Sequence, residues 1–266
     1  MPKKKDPSVT FLNKFGYNVV KLPRVGIEPL DLIGIDETTQ WLGPLSAVWK
    51  STVPVPEPSP PRRAAPVNGQ KTDQLDLSFG LKILGNSLAA FGATVPSLDV
   101  AYRRARKIQF SYANVTSTVV APLEAGNYLT GGTLNSDNPV VKHYFTEPDS
   151  QAFLILDVLK SDSITVIATD EHGTEVGVDV PAIQGVVGAG VKVKPSGASN
   201  STITYSGAEP VTFGFIVDEI QFEGGKWSLS GAAPDGALAF ATGPSGGPGT
   251  ETASPILLGT GCRVRI

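Results

Sequence analysis

Residues 152–169 read AFLILDVLKSDSITVIAT, in which one apolar run is followed by a second run rich in β-branched residues. The run from Ala152 to Leu159 is nearly continuous, which is typical of a central strand that is covered on both faces. Ile164 to Thr169 predicts a further strand segment, and residues 171–173 (EHG) predict the turn that follows it. The sequence therefore predicts a strand-rich second half.

Further strands are predicted on both sides of this run. They are short alternating or β-branched segments, separated by Pro, Gly, Ser and Asn. These segments are Tyr17–Pro23, Leu75–Ile83, Val176–Val180, Val191–Lys194, Ser201–Tyr205 and Val211–Phe215. In Leu75–Ile83 the alternation of apolar and polar residues is unbroken, which predicts a strand with one apolar and one polar face.

Two helices are predicted in the first half. Asp6 is a suitable N-cap, Pro7 suits the first helical position and Gly16 would end the first helix. The second helix is predicted over Leu98–Lys107, with Ser97 as its cap. Its apolar stripe would consist of Leu98, Ala101, Tyr102 and Ala105.

Composition and charge exclude several classes of protein. The chain has 266 residues with 41% hydrophobic and 18% charged content, which indicates a globular fold rather than disorder. The net charge of −3 gives no overall basic field, so we expect no nucleic-acid partner. Cys262 is the only cysteine, which excludes an intrachain disulfide and suits a reducing cytosol. We find neither a signal peptide nor an apolar run long enough for a transmembrane helix.

Patterns for catalysis or metal binding are weak. His143 and His172 have no ligand-like spacing, so we predict no metal and no cofactor. Residues 243–247 (GPSGG) match the G-x-S-x-G pattern of hydrolases, but both flanks are Gly/Pro-rich linker instead of a strand and a helix. A hydrolase is therefore the least favoured class, and we expect no enzymatic activity.

Basic residues cluster at the N-terminus and on the second predicted helix. They either form a solvated face with local salt bridges or contact anionic lipid, where each cation adds on the order of 1 kcal/mol. The candidate headgroup contacts are Lys3, Lys4, Lys5, Lys14, Arg103, Arg104, Arg106 and Lys107.

Two segments have the composition of loops or linkers. Residues 53–61 (VPVPEPSPP) are too rich in proline for a helix or a central strand. Residues 243–249 (GPSGGPG) predict a flexible linker, which leads to an apolar cluster at residues 255–258 and a basic end at residues 263–266.

Several of these segments, in this order, resemble bacterial gasdermins. The segments are Asp6–Leu12, Gly16–Arg24, Ile27–Leu30, Leu98–Phe110, Val158–Ser161 and Pro210–Phe215. The similarity runs over roughly residues 6 to 220. It implies an α+β fold: a twisted, mostly antiparallel central β-sheet with peripheral helices and a short C-terminal inhibitory tail. Family members often carry a palmitoylated N-terminal cysteine, which this chain lacks, so we do not predict lipidation.

The resemblance also implies a function. Residues 1–235 would be the pore-forming domain, and residues 236–266 would be the linker and autoinhibitory tail. The partners would be an activating protease encoded nearby and anionic membrane lipid. The protein would be a cytoplasmic monomer before cleavage. Afterwards it would be a homo-oligomer in the inner membrane, forming large β-barrel pores that kill the cell as a pyroptosis-like antiviral defence.

Candidate sites follow from this resemblance and from the alternating segments. Two regions, Ala47–Val55 with Leu75–Ile83 and Ser163–Tyr205, are the candidate membrane hairpins, since a tilted membrane strand needs only about 9–11 residues. Their predicted membrane-spanning residues are Val53, Val55, Leu75, Leu77, Phe79, Leu81, Ile83, Ile164, Val166, Ala168, Val176, Val178, Val180, Val191, Val193, Ile203 and Tyr205. An ordinary half-buried sheet has the same alternation, and that alternative stays open.

The remaining candidates lie in the tail. The autoinhibitory residues are predicted to be Ile256, Leu257, Leu258, Val264 and Ile266. The protease cleavage region is predicted to comprise Gly243, Pro244, Ser245, Gly246, Gly247, Pro248, Gly249 and Thr250. The alternative functions are a lipid-binding β-rich protein that forms no pores and a structural or adhesion β-protein.

Overall fold

The structure is a computed structural model that describes Leu12 and residues 14–36, 39–93, 98–147, 149–187, 189–223, 226–231 and 264–265. The strands are β1 (Asn18–Arg24), β2 (Asp31–Ile35), β3 (Thr39–Pro44), β4 (Trp49–Ser51), β5 (Arg62–Arg63), β6 (Leu75–Asp76), β7 (Lys107–Ala113), β8 (Thr116–Val119), β9 (Gly132–Leu134), β10 (Gln151–Thr169), β11 (Lys192–Ser196), β12 (Thr202–Glu223), β13 (Lys226–Gly231) and β14 (Val264–Arg265). The helices are α1 (Leu77–Ala90), α2 (Pro122–Thr130), α3 (Pro139–Thr146) and α4 (Val180–Val187).

The long strands β10 and β12 form the centre of the sheet. Along one edge, β10 pairs in turn with β2, β8 and β7, and along the other edge it pairs with β12. The main path of the sheet is β1-β12-β10-β2-β3-β14, and all of these pairs are antiparallel except β3 with β14. The register between β10 and β12 shifts at three places between Ile155 and Ser163. Such shifts are typical of bulges, which increase local twist and bend.

The predicted fold class is confirmed, because the structure is mostly antiparallel sheet with helices at its periphery. Ala152–Leu159 is a central strand with every side chain buried, as predicted. The predicted strands at Tyr17–Pro23 and Val191–Lys194 correspond to β1 and β11. Ser201–Tyr205 and Val211–Phe215 are both part of the single strand β12. The turn at residues 171–173 is confirmed, with Gly173 at a φ of 85°.

The predicted strand Leu75–Ile83 is wrong for this folded state. Only Leu75 and Asp76 form a strand, and the chain is helical from Leu77 to Ala90. Its buried residues, Gly80, Leu84, Ser87 and Leu88, follow the helical period of three to four residues. The alternation that predicted a strand ends at Ile83, whereas the helical stripe continues for another turn and a half.

The predicted helix Leu98–Lys107 is also wrong. Residues 98–104 form successive turns, and β7 already begins at Lys107. The predicted apolar stripe is nevertheless buried, because Leu98, Ala101, Tyr102 and Ala105 all face the core. The residues therefore have the predicted burial without forming a regular helix. Ser97 lies outside the described residues, as does most of the predicted first helix, of which Leu12 and residues 14–16 are described.

The predicted strand Val176–Val180 is wrong as well. Glu175 forms one isolated bridge to Thr169, and residues 176–179 belong to no strand. Pro181 lies at the start of α4, which begins at Val180. Because proline suits the first helical turn and lacks a backbone donor, the sequence favours a helix start here over a strand.

The core consists of three clusters. The largest lies between β7, β10, β11 and β12 on one side and α1 and α4 on the other. A second cluster lies between β1, β2, β10 and β12. A third fills the space between the start of β10, α2 and β13. Within the described part of the chain, we find no helix with the length and hydropathy needed to span a membrane.

Candidate functional site: a covered sheet face and the adjoining sheet edge

The predicted membrane-facing residues of β10 and β12 lie on one face of the sheet. Ile164, Val166 and Ala168 are buried there, and Ile203 and Tyr205 are buried beside them. Ile164 pairs with Tyr205 and Val166 with Ile203 across the two antiparallel strands. Cross-strand pairs of this kind pack side by side on one face. This surface, which we call the covered face, is therefore continuous and apolar.

Helices α1 and α4 cover this face. Leu84 and Leu88 of α1 and Ile183 and Val187 of α4 belong to the same core cluster as the strand residues. Most of the other predicted membrane-facing residues also join the cluster, fully or partly buried. They are Leu75, Leu77, Leu81, Ile83, Val176, Val178, Val180, Val191 and Val193. The structure thus brings most of both predicted hairpin regions into one core.

Three predicted residues lie elsewhere. Phe79 is 37% exposed on α1, and Val55 is 50% exposed in the proline-rich segment. Val53 packs at the edge of the third core cluster instead. The strand β4, within the predicted Ala47–Val55 segment, pairs with β9 and not with Leu75–Ile83. The first predicted hairpin is therefore not preformed in this state.

Helix α1 is held mainly by packing. Asp76 precedes it without a side-chain capping bond, and the helix has no acidic residue in its first turn and no basic residue in its last turn. Gly80 and Gly85 lie in its interior, where each glycine costs up to about 1 kcal/mol relative to alanine. At Gly80 the cost is offset by close packing, because a Cβ there would lie 2.3 Å from Ile108 Cγ1. At Gly85 a Cβ would meet no atom within 4 Å.

A buried pair of hydrogen-bonded tyrosines lies in the core beneath the covered face. The hydroxyls of Tyr102 and Tyr205 lie 2.8 Å apart, and both residues are fully buried. Burial raises the pKa of both phenols, so they stay neutral and hydrogen-bonded to each other. Tyr205 is a predicted membrane residue, and this bond ties it to the turns at residues 98–104.

A buried carboxylate lies within the central strand. The Tyr17 hydroxyl donates to Asp157 Oδ2 at 2.6 Å, and the Ser117 hydroxyl donates to Oδ1 at 2.7 Å. Burial raises the pKa of the Asp157 carboxyl, and the two hydrogen bonds oppose that shift. Asp157 therefore joins three segments that are far apart in the sequence: the start of β1, the middle of β8 and the middle of β10.

The tail strand β14 lies at the edge of the sheet. Val264 pairs with Thr39 and Arg265 with Gln40 in a parallel arrangement. β14 also lies within 8 Å of β1, measured between Cα atoms, and β1 is at the other end of the main path. The tail thus occupies an edge that would otherwise present unpaired backbone groups. Ile256, Leu257, Leu258, Ile266 and the predicted cleavage region 243–250 lie outside the described residues.

Charged groups connect the strands next to this edge. The Trp41 indole N–H of β3 donates to Asp31 Oδ2 of β2 at 2.9 Å, and the Arg24 guanidinium of β1 lies 4.4 Å from the Trp41 ring centre. Burial raises the pKa of the Asp31 carboxyl, whereas its hydrogen bonds from Glu28 and Trp41 lower it. Arg24 and Trp41 therefore link β1, at one end of the sheet path, to β3, the strand next to the other end, through a cation–π contact.

Helix α3 is fastened to the end of β2 by an ionisable cluster. His143 Nε2 lies 2.9 Å from Asp36 Oδ2, and Nδ1 lies 2.7 Å from Glu147 Oε2. The hydrogen bond to Asp36 is the largest cause of a raised pKa of His143, and the hydrogen bond to Glu147 is the next. The Tyr144 hydroxyl also donates to Asp36, and the Tyr144 ring occupies the space that a side chain at Gly34 would need. The described residues contain no group of three or more His, Cys, Asp or Glu arranged for a metal ion.

The predicted lipid-contact residues are in different environments. Lys3, Lys4 and Lys5 lie outside the described residues, and Lys14 is exposed. Arg103 and Arg104 are exposed on the turns before β7. Arg106 and Lys107 are bonded to the backbone carbonyls of Ala105 and Glu171. The basic residues therefore do not form one surface of equivalent cations.

Sequence reasoning missed the buried polar groups. Asp157 interrupts the run AFLILDVL, and a carboxylate inside an otherwise apolar strand was the available signal. No comparable signal exists for the contact of Asp36 with His143, because the two residues are 107 positions apart and only the fold brings them together.

The fold has a known counterpart. A solved structure of a bacterial gasdermin from Bradyrhizobium tropiciagri superposes with a TM-score of 0.55, covering 84% of this chain and 88% of that one. The two sequences are only 15% identical, so this likeness concerns the fold alone. A twisted antiparallel sheet with peripheral helices is therefore an architecture that bacterial gasdermins also have.

Sequence comparison identifies the family. The Bacterial Gasdermin Family profile matches residues 20–231. A gasdermin from Vitiosangium sp. (strain GDMCC 1.1324) is 41% identical over 246 residues, covering 91% of each protein. One from a Desulfuromonadales bacterium is 31% identical over 251 residues, covering 91% of this chain and 93% of the relative. The chain belongs to the bacterial gasdermin family, a family of non-enzymatic pore-forming proteins.

Proposed function

We propose that this chain is an autoinhibited precursor that proteolysis of its tail converts into a membrane pore. In this proposal, residues 1–235 form the pore and residues 236–266 restrain it. A protease, encoded nearby, cuts within residues 243–250. The cut protein then oligomerises in the inner membrane and kills the cell as an antiphage defence.

The observation that supports this most is the shared core beneath α1 and α4. Apart from Val53, Val55 and Phe79, the predicted membrane-facing residues of both regions pack there, where each fully buried side chain contributes roughly 1.5–3 kcal/mol. Lipid could replace that burial if the helices left the covered face and the strands extended. The packing that hides these residues in the precursor is therefore matched to the surface that a membrane strand needs.

The position of β14 supports a role for the tail. It pairs with β3 and lies beside β1, so it covers the strand edge that a neighbouring subunit would need for sheet pairing. While the chain is intact, the linker keeps β14 at a high effective concentration near this edge. After a cut the fragment is no longer tethered and can dissociate.

Membrane contact in this proposal is electrostatic at first. The proposed headgroup contacts are Lys3, Lys4, Lys5, Lys14, Arg103, Arg104, Arg106 and Lys107. The protein would remain a cytoplasmic monomer until the cut. Removing residues 236–266 changes the formal charge from −3 to −4, since this segment carries Glu251, Arg263 and Arg265. Release therefore depends on uncovering a surface and not on making the body more basic.

A protease site placed between Gly243 and Thr250 tests the proposal. Uncut protein should leave dye-loaded anionic vesicles intact, and complete cleavage should cause rapid release. The control is the same protease site placed after Asn68, in the loop before β6, because a cut there does not release the tail. Release by uncut protein at the same rate, or no release after a complete cut, would contradict autoinhibition. Binding to vesicles without release would favour a lipid-binding protein that forms no pores.

A further inference from the structure

A cavity of about 270 Å³ lies beside the start of α4. Its polar lining comes from three segments: Arg103 and Arg104 in the turns before β7, Asp179 just before α4, and Ser199 and Asn200 just before β12. The cavity adjoins the covered face, because Ala101, Val178 and Val180 line it and belong to the same core cluster, whereas its polar residues are exposed or half-buried. It therefore remains accessible while α1 and α4 are in place.

Two arginines line the cavity, and they have no partner among the residues that the structure describes. Within the described part of the chain, neither Arg103 nor Arg104 makes a hydrogen bond or an ion pair, unlike the neighbouring Arg106 and Lys107. A guanidinium offers five N–H donors in a planar fork that matches the oxygens of a phosphate group. Two consecutive arginines at one cavity favour the binding of a discrete oxyanion over a general attraction to a charged surface.

The same cavity contains a fixed carboxylate. Asp179 Oδ1 accepts the N–H of Ala182 at 3.1 Å, and the Asp179 backbone N–H donates to Ala101 at 2.9 Å. These bonds hold Asp179 at the start of α4 and leave its second carboxylate oxygen without a partner in the described residues. Two cations and one anion in one cavity suit a ligand that carries both charges, with its negative group near the arginines.

The wall opposite α4 has a specific backbone shape. Ser199 and Asn200 adopt left-handed conformations with φ of 51° and 59°. A Cβ at Gly177 would lie 2.5 Å from the Ser199 carbonyl oxygen, so only glycine admits this turn without a shift. The turn places a hydroxyl and an amide on the cavity wall, and both can bond phosphate oxygens.

We propose that this cavity binds a phosphate group joined to a primary amine, as in ethanolamine phosphate. The phosphate is held by Arg103 and Arg104, and the ammonium group is held by Asp179. This chemistry occurs in a soluble phosphoester and in a phospholipid headgroup. The lipid case deepens the proposed membrane contact and rests on it, whereas the soluble case does not.

Calorimetric titration of intact, uncut protein with free phosphoethanolamine tests the site without requiring pore formation. We expect Arg103→Gln with Arg104→Gln to weaken binding by about tenfold or more, since charge-assisted bonds to phosphate are strong. Asp179→Asn keeps an oxygen that can cap α4, so it should weaken binding of phosphoethanolamine but not of inorganic phosphate. Arg62→Gln and Arg63→Gln, exposed on β5, provide the matched control for loss of two charges.

Vesicles of phosphatidylcholine with and without phosphatidylethanolamine identify the source of the ligand. Affinity for both the free phosphoester and the ethanolamine vesicles assigns a lipid headgroup, and affinity for the phosphoester alone assigns a soluble ligand. Either result supports the site if the arginine variant loses the binding. Unchanged binding in both cavity variants, or equal affinity of wild-type protein for inorganic phosphate and phosphoethanolamine, would overturn the proposal.

Discussion

Asp157 shows how one side chain couples distant segments of the sheet. Its carboxylate accepts hydrogen bonds from Tyr17 and Ser117, and its pKa is raised because burial disfavours the charged form. The folded state therefore binds this proton more tightly than the unfolded chain does. The free energy of unfolding should fall as pH rises from about 4, the ordinary carboxyl value, through the raised pKa, and stay lower above it.

Replacing Asp157 by asparagine should remove this pH dependence. Asparagine can still accept from Tyr17 and bond to Ser117, but it carries no buried charge. We expect Asp157→Asn to raise the free energy of unfolding at pH 7 by on the order of 1 kcal/mol and to leave it nearly unchanged at pH 4. Urea unfolding at both pH values measures the difference. Asp137→Asn, at an exposed position, is the control, and a loss of stability at pH 7 would contradict the argument.

His143 should give a pH dependence of the same sign, in the range of its own pKa. Its pKa is raised by Asp36 and Glu147, so its contribution to stability is complete below the ordinary histidine value and is lost as pH rises through the raised one. Asp36→Asn should lower the pKa of His143, which NMR titration of the imidazole measures directly. An unchanged histidine pKa in that variant would show that the contact is absent in solution.

Phe79 offers a direct test of the first proposed membrane strand. It is 37% exposed in the precursor, so Phe79→Asp should not prevent folding. In cut protein the same change would place a carboxylate against lipid, which costs up to a few kcal/mol, and we expect dye release to be abolished. Ser78→Asp, on the polar face of the same predicted strand, should leave release unchanged. Normal release by a well-folded Phe79→Asp variant would remove this residue from the membrane strand.

Among the elements, α1 explains why part of the fold could not be predicted. Leu75 to Ile83 satisfies two periods at once: its apolar residues alternate as in a strand, and Leu77, Leu81 and Leu84 also follow a helical face. The local pattern could not decide between a strand and a helix, because the outcome depends on packing against Ile108, which lies elsewhere in the chain. In contrast, segments of β10 and β12 were predicted as separate strands from their apolar and β-branched residues, and the structure joins them into two long strands. The cavity beside α4 could not be predicted, since three separate segments build it.

The glycines of α1 and α2 provide a matched pair of substitutions. Gly85→Ala meets no atom within 4 Å and should stabilise α1 by up to about 1 kcal/mol. If α1 must unravel to form the pore, cut protein should release dye up to roughly fivefold more slowly. Gly126→Ala in α2 is equally unhindered but lies outside the proposed hairpins. It should raise stability without changing the release rate, and equal slowing in both variants would argue against unravelling of α1.

For the whole molecule, the proposed restraint by the tail can be tested in two parts. Deleting residues 264–266 removes β14 from the edge of β3 and keeps the apolar cluster at residues 256–258. We expect this variant to release dye without any cut, although more slowly than cut protein. Replacing Ile256, Leu257 and Leu258 by alanine is the complementary variant. If neither uncut variant releases dye, neither segment restrains the body.

The pairing of β14 with β3 also has a consequence for the order of events during protein synthesis. Residues 232–263 separate β13 from β14, and at about 5–20 residues per second the ribosome needs roughly two to six seconds to synthesise them. Until β14 has been synthesised and has left the ribosome, it cannot cover the edge of β3. A slow step between exposure of the edge and membrane insertion would protect the cell that makes the protein. In the proposed mechanism, the packing of α1 and α4 over the sheet would supply that delay during synthesis.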